Sequence, residues 1–187
     1  MIEGTHYVLN TGTREKRIAI ADCYNVQAVD LATSERKYAD WTVITTAAVT
    51  PQRDLLIVKV RRERMEGPDV KQMIWEEFRE FKPAFVAIER NGAGQPIVQD
   101  LIREGLPVRP VYQHRDKITR AQGPAARYMG GTIYHLEGEP AWGVQMESEL
   151  IAFPNGTNDD VVDTLSELSE HIQSQHALFH DYNPKMH

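Results

Sequence analysis

Hydrophobic and polar positions between Tyr24 and Arg64 read as three successive strands. Tyr24 to Ala32 carries Val26, Ala28, Val29 and Leu31, Trp41 to Thr50 is rich in β-branched residues, and Asp54 to Arg61 contains Leu55-Leu56-Ile57-Val58. Lys37 to Asp40 supplies the first turn, and the short Pro51-Gln52-Arg53-Asp54 turn makes the second and third strands an antiparallel hairpin. Gly67-Pro68-Asp69 then opens a helix whose apolar residues Val70, Ile74, Phe78 and Phe81 recur at helical spacing, and Pro83 ends it. Ala84 to Ile88 is a continuous apolar run, as in a central strand covered on both faces.

Beyond that run, Gly92-Ala93-Gly94 turns the chain into a helix with Ile97, Val98, Leu101 and Ile102, closed by Gly105. Val108 to Tyr112 is a strand, and Lys117 to Met129 a helix interrupted near Gly123-Pro124. Thr132 to Leu136 is a small strand, Trp142 to Ala152 a helix, and Asp159 to about Gln173 a last helix with Val162, Leu165 and Leu168 on one side. The core is expected over about 18–175, with a frayed tail over 176–187. Three antiparallel strands followed by alternating helices and strands predict one mixed α/β domain with helices on both faces, an order compatible with a ribonuclease H-like fold.

At 187 residues, with 41% hydrophobic and 26% charged, the chain has the composition of an ordinary globular domain. No apolar run approaches the ~18 residues of a membrane-spanning helix, so no membrane role is expected. Cys23 is the only cysteine, which excludes an internal disulfide and a cysteine-built zinc site. A net charge of -6 argues against binding nucleic acid by bulk charge and leaves DNA contact to local patches. Arg103, Arg109, Arg115, Lys117, Arg120 and Arg127 form one such patch, and Lys59 to Arg64 a second. On charge alone, a solvated helix face is the better explanation of the first.

Acidic residues carry the candidate chemistry. Asp30 lies within the first strand on the face of Ala28 and Ala32, where a carboxylate is costly unless solvated, paired or bound to metal. Glu89 follows the apolar run at the carboxyl end of a central strand, where open α/β sheets gather ligand groups. Asn158-Asp159-Asp160-Val161-Val162-Asp163 heads the last helix, with Asn158 as the expected cap. The acids favour the positive end of that helix, and their oxygens also suit Mg²⁺ or Mn²⁺. Asn91-Gly92-Ala93-Gly94 lacks the third glycine of a dinucleotide loop, and His135, His171, His176 and His180 are read as surface or tail residues because none has metal-ligand spacing.

The ordered series Ala28 to Ala32, Asp40 to Val43, Ala87 to Gln95, Asp116 to Ala121, Gly130 to Tyr134 and Glu149 to Asp163 closely resembles the nuclease domain of tailed-phage terminase large subunits. The resemblance implies a ribonuclease H-like endonuclease that cuts concatemeric double-stranded DNA during genome packaging, using two divalent cations, Mg²⁺ or Mn²⁺. It further implies that Asp30, Glu89, Asp160 and Asp159 are the catalytic metal ligands and that Asp40 and Asp163 are accessory. Lys117, Arg120, Arg115 and Arg127 are the implied DNA contacts. The implied partners are double-stranded DNA, the terminase ATPase domain, the small terminase subunit and the portal, in the cytoplasm of a bacterial host. Trp41 stands where this family more often has Tyr, Asn158 where it has His, and Thr164 where it has Ala. The chain contains no G-x-x-x-x-G-K-[ST] loop, so a nuclease domain without its ATPase motor is expected. Two other roles fit the same residues: an idle DNA-guiding or portal- and motor-docking module, and a ribonuclease H-like junction resolvase.

Overall fold

The structure is a computed structural model. It describes residues 2–10, 15–32, 41–65, 67–90, 94–112, 114–135 and 141–180, with side chains described up to 172. Three short strands, β1 (Ile2–Glu3), β2 (His6–Asn10) and β3 (Glu15–Ala19), form an antiparallel sheet in that order. Then come β4 (Tyr24–Asp30), β5 (Thr42–Val49), β6 (Leu55–Glu63), α1 (Gly67–Phe81), β7 (Val86–Glu89), α2 (Gln95–Arg103), β8 (Val108–Val111), α3 (Lys117–Met129), β9 (Ile133–His135), α4 (Ala141–Ala152) and α5 (Asp160–His180).

The main sheet has the order β8-β7-β4-β5-β6-β9. β5 pairs antiparallel with both neighbours, whereas β4–β7, β7–β8 and β6–β9 pair in parallel. Five strands therefore end on one edge, and the reversed β5 begins there. β5 is buried along its whole length, because it lies near the middle of the sheet with helices covering both sides.

Alternation along the strands separates two cores. Val26, Ala28, Phe85 and Ala87 pack with Met146, Leu165 and Leu168 under α3, α4 and α5, while Val29, Leu31, Val86 and Ile88 face α1 and α2. The β1–β3 sheet closes a third cluster over Ala48 and Leu56.

A bulge in the β5–β6 register pairs Thr46 with Lys59 but Ala47 with Ile57, so Val58 is the extra residue. Val60 and Arg62 consequently share the α5 side with Ile57, and Lys59 and Arg61 turn toward α1. There the buried Glu77 pairs with Lys59 at 2.9 Å and Arg61 at 3.3 Å.

The predicted elements from Tyr24 to Asp160 recur within a few residues of their expected bounds, and three differences stand out along the chain. Residues before Tyr24 form the small sheet, although their short, charge-broken strands carried no clear period. α3 runs through Gly123-Pro124 as one helix, with Pro124 buried and Gly123 facing Ser169 of α5. α5 continues to His180 through the segment expected to fray, and 181–187 lie outside the described residues.

Candidate functional site

Asp30 ends β4 and Glu89 ends β7. The parallel register couples Gln27 to Val86, Ala28 to Ala87 and Val29 to Ile88, so the two carboxylates occupy the next positions along adjacent strands. Both share the face of Ala28 and Ala87, the face that α5 covers. α5 starts at the same edge and presents Asp160, Asp163 and Glu167 at helical spacings of three and four residues.

Two contacts fix that helix. Thr45 and Thr164 hydroxyls meet at 2.7 Å in the core between β5 and α5. The Glu149 carboxylate, from α4, accepts the Val161 and Val162 amides at 2.6 and 3.3 Å, satisfying donors that a helix start leaves open. Glu149 therefore fills the role expected of Asn158, because α5 begins at Asp160 and Asn158 lies in the preceding loop.

Burial is the largest influence on Asp30, and the negative charges of Asp163, Asp160 and Glu89 add to it, so its carboxyl group is pushed up to about 8. Glu89 is also raised, by burial first, with Arg120 opposing and Asp163 reinforcing. Asp160 is raised by burial against the pull of Arg62. Glu167 is 3% exposed and is raised by burial and by the charges of Asp30, Glu89 and Asp163. Carboxylates that raise one another in this way share a common field, and each gains from a nearby cation.

Protein cations supply part of that charge. Lys117 binds Asp159 at 2.5 Å and Asp163 at 2.7 Å, and Arg120 pairs with Asp163 at 2.9 Å. Arg62 bridges Asp160 at 2.6 Å and Glu149 at 3.0 Å. Among the described residues, no group of three or more histidine, cysteine or acidic side chains is arranged to hold a metal ion. The donor set at the edge is nonetheless all oxygen and strongly acidic, which suits Mg²⁺ or Mn²⁺.

Of the residues singled out in the sequence, Asp30, Glu89, Asp160 and Asp163 gather at one edge. Asp163 acts on both Asp30 and Glu89, and Lys117 pairs with both Asp159 and Asp163. Asp40 lies outside the described residues. Lys117 and Arg120 reach the acids, and the exposed Arg115 lies 3.8 Å from Glu170. Arg127 does not join them, because its guanidinium donates to the backbone carbonyls of Arg53 and Thr132, where β6 and β9 begin at the opposite edge. His171 is no surface residue, since it packs edge-on against Phe85 and burial lowers its pKa.

Sequence reasoning missed Glu149 and Glu167 and named Arg62 only within a basic run. A carboxylate at position 167 amid buried Leu165 and Leu168 was a legible signal for one of them. Glu149 had no such signal.

The family described as Terminase RNaseH-like domain matches residues 27–171. The fold is similar to that of the large terminase nuclease from thermophilic phage G20c solved with bound zinc, at 15% identity and a TM-score of 0.63 over 91% of this chain and 90% of that one. The cobalt-bound form gives 14% identity and a TM-score of 0.65 over 91% and 89%. A yeast mitochondrial Holliday junction resolvase is also similar, at 13% identity and a TM-score of 0.54 over 83% and 82%. No curated protein sequence matches the chain.

Proposed function

The chain belongs to the terminase RNaseH-like domain family, and from that premise we propose that it is a metal-dependent endonuclease that cuts double-stranded phage DNA concatemers during genome packaging. The observation that carries this reading is the meeting of Asp30, Glu89, Asp160 and Asp163 at the carboxyl edge of the sheet under the start of α5. Two divalent cations, when bound, supply Lewis-acid stabilisation to the phosphoryl group being transferred.

In this reading Asp30 is the shared ligand, because it ends β4 beside Glu89 on the adjacent β7 and beneath the start of α5, and Glu89 and Asp160 hold the flanking positions. Asp159 and Asp163 assist from the helix start. Lys117 and Arg120 pair with Asp163 and stand beside the path of the substrate phosphates. Arg62 and Glu149 hold Asp160 in position. The terminase ATPase domain, small subunit and portal are the proposed partners, in the bacterial cytoplasm.

Plasmid digestion with Mg²⁺ or Mn²⁺, with and without chelator, tests the proposal on the parent, Asp30→Asn and Asp160→Asn. The expected result is cleavage by the parent alone, with losses of about 100-fold or more in the variants. Equal nicking by all three removes these residues from catalysis. A marked preference for four-way junctions over linear duplex would instead favour the resolvase reading.

A further inference from the structure

The cations first credited with DNA contact are largely occupied by protein groups. Lys117 and Arg120 pair with aspartates, Arg127 with carbonyls, and Lys59 and Arg61 with glutamates on α1. Two other arginines on the carboxyl edge have no acidic partner among the described residues, and each rests on an aromatic ring. Arg64, exposed just beyond β6, lies 4.4 Å from the ring centre of Trp41 just before β5. Arg90, just beyond β7, lies 5.8 Å from the ring of Tyr112 just beyond β8 and donates to its hydroxyl at 2.7 Å.

Because β5 runs opposite to its neighbours, Trp41 falls on the same edge as the ends of β4, β6, β7 and β8. Along that edge the order is Tyr112 and Arg90, then Glu89 and Asp30, then Trp41 and Arg64. The acids are thus flanked on both sides by a guanidinium in contact with an aromatic ring. From β8 to β6 the edge covers four strand spacings of ~4.8 Å, about 19 Å, enough for several phosphates at ~3.4 Å per nucleotide on one strand. Contact with a ring restrains a guanidinium; Arg90 gives one N–H to Tyr112 and keeps the others, and Arg64 gives none to an acid among the described residues, an arrangement that suits phosphate oxygens.

We propose that Arg64 on Trp41 and Arg90 on Tyr112 are two phosphate clamps that seat a DNA duplex across the carboxyl edge, one on each side of the acids. This rests on the nuclease reading for its purpose, and on the placement of the two pairs for its geometry. Such contacts position the strand without reading its bases.

Fluorescence anisotropy of a labelled linear duplex, in chelator from about 50 to about 200 mM salt, tests it without cleavage. Arg64→Gln and Arg90→Gln should each bind several-fold more weakly, with the salt slope reduced by about 1, and the double variant by about 2. Arg79→Gln, which removes a guanidinium stacked 5.4 Å from the ring of Trp75 near the opposite edge, should leave the slope unchanged. Unchanged unfolding midpoints confirm intact folds. Parental slopes in both edge variants, or an equal fall in Arg79→Gln, overturn the proposal. A parent that fails to cut plasmid while its edge variants still lose slope keeps the clamps and sinks the nuclease reading.

Discussion

Asp30 and Glu89 are consecutive-rung neighbours: each ends its strand one position beyond the Val29–Ile88 pair, on the face covered by α5. Backbone pairing holds the two carboxylates together before any cation is added. The repulsion is therefore built into the fold.

Burial of Asp30, with that repulsion added to it, has a pH signature. Asp30 has a folded value of about 8 against 3.8 for the free group, so the folded state holds a proton that the unfolded state releases. The slope of stability with pH is negative in that window, and metal-free stability is lost as pH rises toward 8. His171 acts the other way, since its lowered pKa weakens the fold as pH drops through the free histidine value of 6.5. Between about pH 6.5 and 8.5 the acids decide the sign. Thermal unfolding in chelator should give a midpoint that falls across this range, less steeply for Asp30→Asn, and Mg²⁺ or Mn²⁺ at pH 8 should restore it. A midpoint that climbs with pH in chelator would contradict this account.

Glu149 joins α4 to the first turn of α5 and to Arg62. Replacing it with Ala leaves Arg62 half-paired and the Val161 amide open, at an expected cost of about 3 kcal/mol. Glu149→Gln keeps a carbonyl oxygen for the amide and should lose about half as much. Urea unfolding measures both, and an Ala variant within about 0.5 kcal/mol of the parent would show that Glu149 does not hold α5.

The hydroxyl of Thr164 donates to the Val161 carbonyl at 2.9 Å, so in the pair with Thr45 it is Thr45 that donates. Thr164→Val strands a buried donor on Thr45 and should cost about 1–3 kcal/mol. Thr45→Val removes the donor itself and should cost less. The double variant should be more stable than the sum of the singles predicts, by about 1 kcal/mol in a double-mutant cycle. Strict additivity would mean that the two hydroxyls do not couple.

How much was legible follows from how local each signal is. β4, β7 and α1 are marked by alternation, by an unbroken apolar run and by a 3.6-residue period bounded by proline, so chain order and fold class could be read directly. Asp30 stood out because a carboxylate within a strand is costly, and Glu89 because it closes an unbroken apolar run. The N-terminal strands were missed because they take their burial from Ala48 and Leu56, residues distant in the chain. The Gly123-Pro124 break was overcalled because packing against α5 carries the helix through it.

The α/β order and the acids along the strands and at the helix start were legible in the chain, since these depend on neighbours a few residues away. Tertiary structure alone decided which charges face one another. The bulge at Val58 shifts side-chain parity, so Arg62 meets Asp160 and Glu149 while Arg61 is turned to Glu77. A one-residue shift in register changes the face of every later side chain in the strand, and no local period in the sequence announces it.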